Sequence, residues 1–479
     1  MYRINHLMCQ TLCYIPETFC GQPVFGWGWG LGLFCLFACL SQAWQYYQTK
    51  KIKTADIGSA ALLLLFGGII LIYVIPATAE HGHGIPIRGY GLCLLFAIFL
   101  GCSLVVYLAA KKGIAGETAA SLCFWTCLTG VIGARIFYVT EYWRDMLCFD
   151  AAGQFRPVES FFNVLNIAQG GLVVFGSILG GMLGGFIYMQ VKKLPVLKSF
   201  DAVAVGLMLG IAIGRIGCLC NGCCYGGITD VPWGITFPEG SPVHLHQIAH
   251  GDIFCCGLKF KEVPAGNTSG HTVLAVAEVA KGSTAEKIGM KKGMKIRSIG
   301  NKDVVLNVRT CHDAARLLSY RQETAACVCQ GTGHDAARLL SYRQEELSDK
   351  RIRFDIFSNA ARTETVPYFL ERESSPVLPV HPTQIYSSVS AFCICGLLLL
   401  LGRLDFYKRH DGLVFATFML LYPAVRFMLE MIRTDEESFF GTGLTVSQNV
   451  SVAVFIAGAV LFAVAVRKNG KRTVDYLRK

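Results

Sequence analysis

Two arginines set in apolar runs are the residues of this chain best placed to do chemistry. Arg215 lies in Gly214-Arg215-Ile216-Gly217-Cys218-Leu219-Cys220-Asn221-Gly222-Cys223-Cys224-Tyr225-Gly226, at the end of a long apolar stretch. An ionisable side chain at membrane depth is costly and marks a functional site. The glycines around it let backbone or ligand approach closely, as in a lined cavity. Arg426 belongs to a stripe of Tyr422, Arg426, Glu430 and Arg433, spaced to share one face of a helix. Guanidinium forks match phosphate bidentately, so Arg215 and Arg426 suit an anionic group such as a lipid phosphate. The competing reading pairs Arg426 with Glu430 at i, i+4 as a structural ion pair. A third polar motif, His381-Pro382-Thr383-Gln384-Ile385-Tyr386, opens another apolar run, with its proline suited to a first helical turn.

The elements that must position these residues are membrane spans. The chain has 479 residues, 53% hydrophobic and 16% charged, against about 25% charged in soluble domains. Apolar runs near the roughly 20 residues that cross a bilayer are read at 26–44, 57–75, 90–110, 119–139, 170–191, 202–218, 385–401, 413–431 and 450–466. The expected fold is therefore an all-α polytopic membrane protein of about nine helices. Alternate short loops carry Lys50, Lys51 and Lys53; Lys111 and Lys112; Lys192, Lys193 and Lys198; Arg403, Lys408 and Arg409; and the tail from Arg467. By the positive-inside rule these are cytoplasmic. The loops with Glu80, Glu141, Asp145 and Asp435 to Glu437, and the N-terminus, lie outside. The net charge of +11 then reads as topology and attraction to an anionic leaflet, with no nucleic-acid partner. The first apolar run, lacking a basic start and a cleavage site, reads as a retained span.

Between Tyr225 and Val380 the composition turns polar, and this outside segment is long enough to fold by itself. Residues 274–279 alternate as a strand, and 282–296 read as turn, short helix, turn and strand. That piece resembles a PDZ domain, with Thr284 and Met294 where proline and aspartate are usual. Such a fold captures an extended peptide by strand addition; the alternative is a spacer or lid. Within the insert, residues 312–323 recur identically at 334–345, too few copies for a solenoid.

Taken together, the motifs resemble those of the prolipoprotein diacylglyceryl transferase family. Its signature is matched at Gly214, Arg215, Ile216, Gly217, Asn221, Gly222 and Gly226. Its His-Pro-Ser-Gln-Leu-Tyr element is matched at His381, Pro382, Gln384 and Tyr386. Its polar helix is matched at Tyr422, Arg426, Phe427, Glu430 and Arg433, and its Tyr-Gly at Tyr90 and Gly91. The resemblance implies an enzyme of the bacterial plasma (inner) membrane that moves the diacylglyceryl group of phosphatidylglycerol onto the lipobox cysteine of a preprolipoprotein, releasing glycerol phosphate. Phosphatidylglycerol, the preprolipoprotein signal peptide and the bilayer are the implied partners. The chemistry needs an anion clamp and a thiolate nucleophile, and no metal or organic cofactor. Arg215 and Arg426 are the expected clamp, with Tyr90, Tyr422 and Asn221 orienting the headgroup and His381 a catalytic candidate. Gly226, Glu430 and Arg433 complete the expected substrate site. The domain plan is 1–84, two added spans; 85–226, the first part of the core; 227–380, the insert, PDZ-like at about 258–365; and 381–479, the second part with a basic tail.

Several positions depart from the family pattern. Phe175 stands where a histidine base is usual, Cys218 where asparagine is, Cys223 where glutamate is, and Ser387 where glutamate closes the last motif. Either His381 serves as base, or the arginine field alone activates the thiol, or transfer has been lost. The last case would leave a lipid- and peptide-binding scaffold; a transporter is disfavoured because the polar residues gather at one side of the bilayer. Cys218, Cys220, Cys223 and Cys224 suit a disulfide, with Cys255 or Cys256 as further partners. A metal there is disfavoured, because thiolates compete for the arginine charge. His81 and His83 read as solvated, Arg135 as either a third anion contact or an interface anchor, and Asp201 as a charge meeting the dipole at its own helix start.

Overall fold

The computed structural model describes residues 11–16, 18–19, 22–24, 29–36, 39–40, 85–147, 155–165, 171, 173–264, 272–299, 302–303, 351–357, 365–371, 376–433 and 443–477. Among these, seven helices are long and apolar enough to cross a membrane: α1 (Gly89–Lys111), α2 (Gly116–Glu141), α3 (Val174–Val191), α4 (Val196–Asn221), α5 (Thr383–Leu401), α6 (Leu413–Glu430) and α7 (Val446–Leu477). They cover the last seven expected spans. Helix α4 begins six residues before its expected apolar run, since Lys198 and Ser199 fit a helix even though they do not fit a hydrophobic window. Of the two earlier spans, 29–36 and 39–40 are helical, and 57–75 lies outside the described residues, as do His81, His83 and both copies of the duplicated dodecamer.

The chain divides into two compact units, Cys9–Leu92 and a larger one holding Cys93–Lys479. The smaller unit corrects the all-α expectation outside the insert. Thr11–Ile15 pairs antiparallel with Ile85–Arg88, two short segments rich in β-branched residues that a search for apolar runs passes over.

In the larger unit, α2 and α3 meet along a glycine seam. A Cβ on Gly133 or Gly176 would meet the other's carbonyl oxygen inside van der Waals contact, and one on Gly180 would meet that of Thr129. Small residues at such a seam are what let two spans pack closely in lipid, where no hydrophobic force drives them together. Helices α4, α5 and α6 share a second core of Val205, Met208, Ile394, Leu398, Val414 and Phe418. Across it Ser388 Oγ donates to the Ala212 carbonyl at 2.7 Å. Pro423, inside α6, has no N–H for the Met419 carbonyl. Gly458 of α7 is the residue packed against Met419 there.

The basic end of this bundle is tied by Asp201. Its carboxylate accepts from Lys112 Nζ at 2.6 Å and from the backbone N–H groups of Gly412 and Phe415 at 2.9 Å each. Asp201 therefore caps α6 rather than meeting the dipole of its own helix, which corrects the sequence reading. The cap comes from 211 residues away, so no local pattern announces it.

Beyond α4, the chain enters the polar insert. The helix Pro242–Ala249 is N-capped by Ser241, and Leu258–Pro264 pairs antiparallel with Thr272–Val279. A four-stranded antiparallel sheet orders its strands as 365–371, 351–357, 296–299 and 302–303. Ser283 and Glu286 form a capping box: Ser283 Oγ accepts from the Glu286 N–H, and Glu286 Oε2 accepts from the Gly282 N–H. Leu245, Ile248, Leu258, Phe260, Leu274, Val276, Ile296 and Leu370 close one core. Cys255 and Cys256 are buried in that same core, so they pack as small hydrophobes and do not partner the cysteines after Arg215. Where the chain leaves and re-enters the bundle it pairs with itself: Val380 and Ile235 exchange backbone hydrogen bonds of 3.0 and 3.1 Å, and the Thr229 N–H donates to the Pro379 carbonyl.

Removing the buried Asp201 carboxylate frees two N–H groups and leaves Lys112, itself part exposed, without its partner. Asp201→Ala is expected to cost about 2–3 kcal/mol, read as a lower thermal midpoint of the detergent-solubilised protein. A second expectation concerns acid. Burial lowers His244 to about 4, and its Nδ1 accepts from the Gly240 N–H at 2.9 Å, which requires a neutral ring. An unfolded histidine protonates near 6.5, so the unfolded state binds the extra proton between those values, and stability falls as pH drops through that window. The thermal midpoint should therefore fall between pH 6.5 and 4.5, and His244→Asn should flatten that slope.

Candidate active site

Helix α4 ends on Asn221 because Gly222 adopts the left-handed conformation (φ 69°) that closes a helix C-terminus. The turn brings the Cys223 N–H back onto the Cys218 carbonyl at 3.1 Å. Cys224 follows at φ 58°, a left-handed conformation held by a residue with a side chain. The motif that opens α5 holds this turn in place. Thr383 Oγ1 donates to the Cys224 carbonyl at 2.6 Å, and Gln384 Nε2 donates to the Cys223 carbonyl at 2.7 Å.

The next residues extend the same junction. The Gly226 N–H donates to the His381 carbonyl, the His381 N–H to the Gly227 carbonyl, and the Gly227 N–H to the Ile432 carbonyl, all within 2.9–3.0 Å. A Cβ on Gly226 would strike the His381 and Thr383 side chains at 2.8 and 2.9 Å. Three motifs separated by about 160 and 50 residues therefore meet at one place, and Gly226 is there because only a bare backbone fits.

Over this junction lies the charge. Arg215 is within electrostatic reach of Cys224, Cys218, Tyr422, Arg433 and Arg426. Among the described residues its guanidinium makes no hydrogen bond or ion pair. Arg426 pairs with Glu430 at 2.5 Å and donates to Ser447 Oγ at 3.2 Å. Arg433 shares the same Glu430 carboxylate at 3.7 Å, and that side chain is 1% exposed. The i, i+4 pair is thus present, and Glu430 is shared by two arginines. Arg215 stands near both at the end of an apolar bundle with no hydrogen bond or ion pair among the described residues, which suits an anion site.

Tyr422 packs on Phe418 in the shared core, with ring planes 15° apart. Asn221 is half-buried as the last residue of α4. The ring of His381 has its Nδ1 3.4 Å from Tyr386 Oη, which in turn accepts from Trp233 Nε1 at 2.7 Å. With its oxygen already accepting from the indole, the Tyr386 hydroxyl is free to donate to Nδ1. Tyr90 stands in the first turn of α1 and is 41% exposed; it belongs to the smaller unit. Phe175 lies in the first turn of α3, also partly exposed, and has no proton-accepting atom.

Arg135 is neither of the two things expected of it. It is buried, and it donates to the backbone carbonyls of Asn163, Val164 and Gly171 at 2.7, 2.8 and 3.1 Å. Its donors are spent on fastening the segment between α2 and α3, so it faces neither lipid headgroups nor a bound anion. Sequence reasoning also passed over Trp233 and Ser447, which touch functional side chains from outside the motifs. The bonds from Thr383 and Gln384 to the Cys224 and Cys223 carbonyls carry no local sequence signature.

Cys218, Cys223 and Cys224 are not joined by disulfides. The sulfurs of Cys218, Cys223 and Cys224 lie within 4.8 Å of one another, with Cys220 outside the group. Hydrogen bonds from the Cys218 and Cys223 thiols, with Arg215 and Arg433 nearby, hold the Cys224 thiol below the usual range. Hydrogen bonding to Cys218 and Cys224 pushes Cys223 up.

The sequence also matches known proteins. A sequence model described as prolipoprotein diacylglyceryl transferase matches residues 76–266 and 326–464. The chain belongs to the prolipoprotein diacylglyceryl transferase family. It is similar to the phosphatidylglycerol--prolipoprotein diacylglyceryl transferase of Rhodopirellula baltica, 29% identical over 95% of this chain and 88% of that protein. A match of that length runs through the insert. The transferases of Clostridioides difficile and Thermosynechococcus vestitus are 33% and 35% identical over 34% of this chain, and the match covers 60% and 56% of their own lengths.

Gln384→Ala removes the donor to the Cys223 carbonyl and should loosen the turn by about 1–3 kcal/mol. The expected sign is faster alkylation of Cys223 and Cys224 in the folded protein, with Cys393, exposed on α5, reacting at its wild-type rate.

Proposed function

We propose that this chain transfers the diacylglyceryl group of phosphatidylglycerol to the lipobox cysteine thiol of preprolipoproteins, forming a thioether and releasing glycerol phosphate. The observation that carries this reading is Arg215, half-buried near Arg426 and Arg433 and with no hydrogen bond or ion pair among the described residues. A phosphodiester has one negative charge, and the phosphate monoester that leaves has up to two. A guanidinium held there for an anion therefore gains most as the carbon–oxygen bond breaks, which is stabilisation of the transition state over the ground state.

Arg215 has no protein partner among the described residues and takes the phosphate directly. Arg426 is the second arm of the clamp, with its orientation set by Glu430 and Ser447; Arg433 adds field through the same carboxylate. Tyr422 and Asn221 orient headgroup oxygens, and Gly226 keeps the floor of the site open. His381 hydrogen-bonds the reacting groups from its position over the Gly226–Gly227 backbone. Ile216, Met428 and Met431, beside these charges on the same helices, are exposed apolar side chains, which suits lateral entry of acyl chains from the bilayer.

The loops at the site end lie outside the cytoplasm in this reading. The Lys112–Asp201 end and the basic tail lie inside, by the positive-inside rule. Residues 85–226 and 381–479 form the catalytic core, and 227–380 a PDZ-like extracytoplasmic insert whose antiparallel strands and Ser283 cap are consistent with such a fold. A silent, lipid-binding scaffold is the second reading, favoured by Phe175 in the place of a basic residue.

Complementation separates the two. The chain is expected to restore lipoprotein maturation in cells depleted of their own transferase. Arg215→Ala and Arg426→Ala should each lower the rate by at least about a hundredfold, the effect of losing one preorganised charge contact. Failure of the intact, membrane-inserted chain would leave the scaffold.

A further inference from the structure

The three sulfurs beside Arg215 have no part in the transfer as derived above. Cys218 is contributed by the last turns of α4, and Cys223 and Cys224 by the loop that the Gly222 turn folds back over it. Their sulfurs lie within 4.8 Å of one another, so a point central to the three stands at most about 2.8 Å from each. A zinc–thiolate bond is about 2.3 Å, and small rotamer adjustments close that gap. The backbone that presents them is stiff. Cys224 sits at φ 58°, a conformation that persists where surrounding contacts over-determine it. Those contacts are the Thr383 and Gln384 bonds to the Cys224 and Cys223 carbonyls. Hydrogen bonds that orient ligands from outside in this way are characteristic of metal sites.

We propose that Cys218, Cys223 and Cys224 form a trithiolate site for a zinc ion, with the fourth position open to the acceptor cysteine of the substrate. Three protein ligands and one vacant position are the arrangement of zinc sites that act on a substrate. Three thiolates and a divalent cation carry a net single negative charge, and Arg215 and Arg433 both face Cys224. That positive field balances the charge of the zinc site. Cys218 and Cys223 stand where the family signature has other residue types, so the site is a feature of this chain.

In the reaction, and resting on the transferase reading, the substrate thiol loses its proton to water as its sulfur binds the ion. That sulfur attacks the glyceryl carbon; the C–S bond forms as the C–O bond to phosphate breaks, and the electron pair leaves on the phosphate oxygen facing Arg215. The zinc ion ends as it began. No histidine base is then required, which accounts for Phe175.

The test is metal binding by the full-length detergent-solubilised protein, independent of turnover. Titration with zinc alone should load one ion per chain and protect the cysteines of the 218–224 peptide, except Cys220, from alkylation, as read by mass spectrometry. Cobalt in place of zinc should give intense thiolate-to-metal absorption. Cys223→Ser and Cys224→Ser should each lower the affinity at least about a hundredfold, and Cys220→Ser should leave it unchanged. Unprotected thiols in the wild-type protein, or equal metal content when all three cysteines are serine, would overturn the site. Because the wild-type protection assay needs no variant to fold and no activity, a protein that complements yet binds no zinc would end this proposal alone. Bound zinc without complementation would end the transferase reading alone.

Discussion

A half-buried arginine at the end of an apolar bundle, Arg215, with no ion pair among the described residues, is the constraint on which the rest of this structure depends. A buried guanidinium without a carboxylate is tolerated only if its position is over-determined and its ligand is an anion. The backbone junction of Gly226, Gly227, His381 and Ile432 does the positioning, and the shared core of α4, α5 and α6 supports it from below. Glu430 is shared by two arginines and orients both. At the opposite end Lys112 and two N–H groups satisfy the carboxylate of Asp201.

The spans were legible in the sequence because hydrophobic length is a property of consecutive residues. The candidate site residues stand out in the sequence because a charge in an apolar run is costly. What could not be read there depends on residues brought together from afar. Arg135 read as either an anion contact or an interface anchor because its three carbonyl partners carry no side-chain signature. Asp201 looked like the first charge of its own helix because the N–H groups it caps lie in a different one. The short strand pairing of Thr11–Ile15 with Ile85–Arg88 was missed because it joins segments on either side of two expected spans. Cys255 and Cys256 read as partners for the cysteines after Arg215, and burial in the core of the insert is what separates them.

The cysteines at 218, 223 and 224 show how the same residues change meaning with geometry. As a sequence they are a dense, ambiguous run in which any pairing is allowed. In the fold, the left-handed Gly222 selects three of them and leaves Cys220 aside. A thiol cluster in an apolar wall would be inert; beside arginines it becomes a place where a sulfur anion is stable.

The short stem where Val380 pairs with Ile235, and Thr229 with Pro379, lies between the membrane core and everything in the insert. Loop closure entropy grows only logarithmically with length, by about 0.6 kcal/mol for each doubling. With its two ends already joined at the stem, the segment beyond can lengthen, shorten or duplicate a dodecamer at small cost to the bundle. The stem separates two rates of evolutionary change: a packed junction that tolerates almost no added atom, and a neighbouring segment whose length is nearly free to drift.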